Sequence, residues 1–69
     1  MNIRSYSKQE LALLYFPGSE PSTALKRLNR WINRIPPLQA DLYHGALGKN
    51  AKYWTRHQVE QIIEYLDEP

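Results

Sequence analysis

The sequence predicts an all-α fold, a small single-domain bundle of about four helices spanning residues 1–69, and three observations predict it. Two stretches, Ser7-Lys8-Gln9-Glu10 and Thr55-Arg56-His57-Gln58, have the form of a capping box. In such a box a Ser or Thr hydroxyl accepts from the backbone N–H three residues on, and the Glu or Gln there reaches back. Apolar residues then recur three and four positions apart, which stacks them on one helix face. Proline and glycine punctuate the chain at residues 17–18, 36–37, 45 and 48, between those runs.

The first helix starts at its capping box, with Tyr6 and Leu11 placed as the flanking hydrophobic staple. Leu11, Leu14 and Tyr15 form its apolar set, and Pro17-Gly18 stops it. Ser19-Glu20-Pro21 opens the second helix, because proline is tolerated in a first turn and acid suits the positive helix end. Leu25, Leu28, Trp31, Ile32 and Ile35 fall on one stripe of a helix running from about Ser22 to Ile35. Pro36-Pro37 ends it, since proline disfavours helix in the residue before it and donates no hydrogen bond. A third, shorter helix runs over Leu38–Tyr43 with Leu38 and Leu42 inward and Tyr43 open to either an inward or an exposed place. Residues 47–53 read as a loop or a short extended excursion, and no strand of any length is visible. The last helix follows Thr55 with Trp54 and Val59 as its staple, Val59, Ile62, Ile63 and Leu66 inward, and Glu60, Glu64 and Asp67 outward.

Composition narrows the function classes. At 69 residues, 42% hydrophobic and 12% aromatic, the chain has apolar surface to bury but only a thin core to bury it in. The absence of cysteine removes disulfides, thiolate nucleophiles and Cys-rich zinc sites. No apolar run approaches a membrane span, and residues 1–6 lack the apolar core of a secretory signal, so a cytoplasmic location without membrane contact is expected. The net charge of +2 is unevenly spread: residues 1–54 carry +5 and residues 55–69 carry −3. A basic body with an acidic end suits a polyanion bound on one side.

The second helix carries most of that charge. Lys26, Arg27, Arg30 and Arg34 cluster opposite its apolar stripe with Thr23 among them, while Asn29 and Asn33 lie at one flank. No acid interrupts the arc to pair with these cations one turn away. Charged residues normally cover exposed helix faces. An unopposed basic arc also meets phosphates, and Arg and Asn read base edges in a major groove. The order of a short capped helix, a turn and a longer basic helix is similar to helix-turn-helix proteins, with Ala12 as the small residue permitting close helix approach and Trp31 as a core anchor. Phe16–Pro21 is longer and richer in proline than the usual tight turn.

A wider likeness covers nearly all of the chain. Tyr6-Ser7-Lys8, Glu10-Leu11-Ala12, Tyr15-Phe16-Pro17, Arg30-Trp31-Ile32, Thr55, Gln58-Val59, Glu64-Tyr65-Leu66 and Glu68-Pro69 together resemble a family of short uncharacterised helical proteins of Bacteroides-type bacteria, grouped as a domain of unknown function. The resemblance implies a small helical bacterial protein and brings no activity, ligand or catalytic residue with it.

Enzymatic chemistry finds little footing. His44 and His57 stand thirteen positions apart without metal-ligand spacing, so a metal site is not expected. Ser, His and Asp are present with no nucleophile elbow to frame them. Gly45–Lys49 lacks both the full spacing of a phosphate loop and a preceding strand. The expectation is a non-enzymatic protein with no cofactor and no small-molecule substrate. Two functions remain. The first is a nucleic-acid-binding module for double-stranded DNA, using Thr23, Lys26, Arg27, Arg30 and Arg34 with help from Lys49 and Lys52. The second is a protein-interaction module, binding a protein partner or a second copy of the chain. It would use the acidic last helix beside Tyr65, or exposed aromatics such as Tyr15, Phe16 and Tyr43.

Overall fold

Two capping boxes and the residues before them organise the whole chain. The computed structural model describes residues 2–43 and 51–69. Along the chain come β1 (Tyr6–Ser7), α1 (Lys8–Tyr15), α2 (Pro21–Asn33), α3 (Pro36–Leu42), β2 (Tyr53–Trp54) and α4 (Arg56–Leu66). Among the described residues the protein is mostly α-helical, four helices with one small two-stranded sheet.

Both boxes form as the sequence predicts. Ser7 Oγ accepts from Glu10 N at 3.0 Å and Glu10 Oε1 accepts from Ser7 N at 3.2 Å. Thr55 Oγ1 accepts from Gln58 N at 3.2 Å and Gln58 Oε1 accepts from Thr55 N at 2.9 Å. The residues leading into each cap are extended, and the two extended pieces lie side by side. β1 and β2 pair antiparallel with Tyr6 opposite Trp54 and Ser7 opposite Tyr53. Lys8 N continues the pairing to Lys52 O at 2.9 Å, and Ser5 Oγ donates to Trp54 O at 2.8 Å. Of the stretch left open between a loop and a short extended excursion, Tyr53, together with Trp54, is half of a ladder. Its partner escapes a sequence reading, because two residues are too few to show alternation.

That pairing brings both staples into one core. Tyr6, Leu11, Trp54 and Val59 are all buried and meet Ala12, Ala24, Leu28, Ile32, Leu38, Leu42 and Ile62. Ala12 on α1 and Ala24 on α2 are fully buried where those two helices pack, as small residues at a close helix approach should be. The connection between them turns at Gly18, whose φ of +87° is open to glycine at no steric cost.

Three details differ from expectation. α2 spans Pro21–Asn33, stopping short of Ile35, and Pro36 and Pro37 begin α3 where they were expected only to end α2. A proline has no N–H to lose in a first turn, so the same pair ends one helix and starts the next. The buried stripe of α2 is Ala24, Leu28 and Ile32, with Leu25 and Ile35 partly buried beside it. Trp31, expected as a core anchor, is 38% exposed, and Leu14 is 43% exposed. Trp31 lies two turns beyond the fully buried Ala24 on nearly the same face, so its exposure reflects its place along α2 rather than its side of the helix.

Gln58 does more than close its box. Its Nε2 donates to Leu42 O at 2.9 Å, so the start of α4 is tied to the end of α3. Glu in its place keeps the acceptor and loses that donor. Gln58→Glu is therefore expected to destabilise the fold by about 1–3 kcal/mol, the cost of stranding a buried polar group. Glu10→Gln, the mirror change in the exposed first box, is expected to stay within about 0.5 kcal/mol. Urea unfolding of the two variants checks the contrast; equal effects would remove the tertiary role of Gln58.

Candidate nucleic-acid interface

α2 is held by its apolar stripe against α1 and α3, which leaves its opposite side to solvent. Thr23, Lys26, Arg27, Arg30 and Arg34 are all exposed on that side. Arg4 pairs with Glu10 at 3.9 Å and Arg56 with Glu60 at 3.2 Å, and among the described residues no ion pair engages the cations of α2. The acids of α4 do not neutralise the arc within the chain. Arg30 lies in the last turn of α2 and Arg34 is its C-cap, where a cation also meets the negative end of the helix dipole. Lys26 and Arg27 stand mid-helix, outside the reach of that effect.

The arc has two different borders. On one, Asn29 and Asn33 line a cleft of about 870 Å³ together with Lys8, Gln39, Lys52 and Tyr53. Gln39 Nε2 donates to Asn33 Oδ1 at 3.0 Å, and Asn29 Oδ1 is buried without a partner. Lys52 is exposed across this cleft, so the fold brings it to the same side as the amide flank of α2. Lys49, grouped with it from the sequence, lies outside the described residues, as does His44. Lys8 has a different place: it is 8% exposed, its Nζ 4.4 Å from the centroid of the Trp54 ring and 5.9 Å from that of Tyr43. Burial pulls its pKa below the ordinary lysine value.

The other border is aromatic. Phe16 meets Trp31 edge-on at 4.7 Å between ring centroids, and Tyr15 meets it edge-on at 6.4 Å. Arg27 lies over Phe16 at 5.9 Å. Tyr15 Oη donates to the Asp67 carbonyl at 2.6 Å, tying the end of α1 to the end of α4. Burial, with the Asp67 and Glu68 carboxylates nearby, pushes the Tyr15 phenol up to about 12. Tyr43, named with Tyr15 and Phe16 as a candidate exposed aromatic, is partly buried and packs near Trp54 at 6.2 Å. The sequence reading missed Trp31 as a surface group. Its spacing of four from Arg27 and three from Arg34, both on the polar arc, was the available signal.

Among the described residues, no group of three or more His, Cys, Asp and Glu side chains is placed to hold a metal ion, and no helix is long and apolar enough to cross a membrane. Fold and surface together define a small helical domain with one helix presented as a basic face. The chain belongs to the family described as a domain of unknown function (DUF4248), whose profile matches residues 2–69. No curated protein and no solved structure matches it.

Proposed function

We propose that the protein is a nucleic-acid-binding module that docks α2 against double-stranded DNA. The observation that carries this reading is the unneutralised arc of Lys26, Arg27, Arg30 and Arg34, all exposed on the outer side of a helix braced by its opposite face. α1 acts as the supporting helix and α2 as the presented one, a helix-turn-helix-like pair with a proline-containing connection of residues 16–20. Thr23 is a hydroxyl donor for a phosphate oxygen, and the cations supply most of the affinity. Lys52 extends the phosphate contact beside the amide flank of Asn29 and Asn33. The chemistry of the site is binding, with no reacting group required.

Binding of this kind releases counterions, so its strength depends steeply on salt. Neutralising about four to six phosphates gives a log–log slope of affinity against salt near −4 to −5. Fluorescence anisotropy with a mixed pool of labelled duplexes, repeated across a salt series, measures it. A slope near zero, or no binding at low salt with protein near 100 μM, the weak edge of non-specific affinity, would sink the reading.

A further inference from the structure

We propose that the protein binds duplex DNA irrespective of base sequence, with the C-terminal part of α2 laid across the phosphate backbones and its N-terminal end kept out of the major groove. This deepens the DNA reading and rests on it. In helix-turn-helix docking the presented helix enters the major groove with its N-terminal residues against base edges. That end of α2 is Glu20, Pro21, Ser22 and Thr23, all exposed. Glu20 is the N-cap, and its side chain makes no capping hydrogen bond. Among the described residues no ion pair engages it. Entry by this end sets an unneutralised carboxylate between two phosphate backbones. A cleft lined by one sign of charge focuses its field, so the acid is repelled there most strongly.

The groups farther along α2 serve phosphates better than bases. Lys26, Arg27, Arg30 and Arg34 begin beyond the first turn and cover about 12 Å of helix at ~1.5 Å per residue. A duplex carries about seven charges over that length whatever its sequence. Lys26 and Arg27 are adjacent in the chain and point about 100° apart, so they address phosphates to either side of the helix instead of one base step. Reading adenine with an asparagine takes the oxygen and nitrogen of one amide together. Asn33 Oδ1 already accepts from Gln39 Nε2 at 3.0 Å, and Asn29 Oδ1 is buried. An arginine fork reads guanine from inside the major groove, the place the acidic end of α2 resists. Thr23 offers one hydroxyl, which pairs with either kind of base and so discriminates little.

Selection from a pool of duplexes with a randomised central segment tests this on the full chain. The fraction bound at low salt is recovered and sequenced beside the input. Base frequencies at every position are expected to stay within about twofold of the input, because a single base pair read specifically shifts them about fivefold or more. Dimethyl sulfate gives the second readout. Guanine N7 faces the major groove, and in the complex it is expected to be methylated as fast as in free duplex. An enriched motif, or guanines shielded at N7, would overturn this inference and leave the DNA reading standing. Absence of binding to the whole pool at low salt would overturn both, so the two failures are told apart.

Discussion

Trp54→Ala is expected to leave the chain largely unfolded at ambient temperature. Trp54 is fully buried, pairs with Tyr6 across the ladder and precedes the cap of α4, so one ring joins the sheet, the last helix and the core. Truncating a buried Trp costs about 3–5 kcal/mol through lost transfer energy and the cavity left behind. A single core in a domain this small supplies only about 3–5 kcal/mol in all. The two quantities are equal within their spread, so the folded fraction collapses. Trp54→Phe is the informative companion. Its ring retains most of the packing and removes an Nε1–H that is buried without a partner, a group that itself costs about 1–3 kcal/mol. Far-ultraviolet circular dichroism with urea titration is expected to show a folded Phe variant and an unfolded Ala variant. A cooperative transition of near-wild-type midpoint in Trp54→Ala would remove Trp54 from the centre of the fold.

The second large effect falls on binding. Arg30→Glu with Arg34→Glu reverses two charges on the outer arc of α2 and is expected to abolish duplex binding at about 0.1 M salt. The neutral pair Arg30→Gln with Arg34→Gln gives the quantitative version. Each phosphate contact contributes roughly eightfold at that salt through counterion release, so losing two weakens binding about 60-fold and flattens the salt slope by about 2. Both arginines also favour the C-terminal end of α2, and their loss there costs about 0.3–1 kcal/mol each at an exposed position. The neutral variant must therefore be shown to keep its helicity before its affinity is read. Retained binding in the folded reversal variant would take α2 out of the interface.

Local chemistry accounts for what was legible in the sequence by itself. The starts of α1 and α4 were readable because a capping box is satisfied within four residues and needs no other part of the chain. The break after α2 was readable because proline acts on its immediate neighbours. The buried identities of Leu28, Ile32, Leu38, Leu42, Val59 and Ile62 followed from helical periodicity, and the clustering of Lys26, Arg27, Arg30 and Arg34 followed from the same count. The tertiary structure alone decided the rest. Tyr6 and Trp54 pair across forty-eight positions, Gln58 bonds to the Leu42 carbonyl, and Tyr15 reaches the Asp67 carbonyl. It also decided that Ala24 goes inside while Trp31 stays at the rim, although the two lie seven residues apart on nearly the same line of α2 and periodicity gives them the same face. Periodicity states which side chains share a face; only the neighbouring helices determine how far along the helix that face is covered.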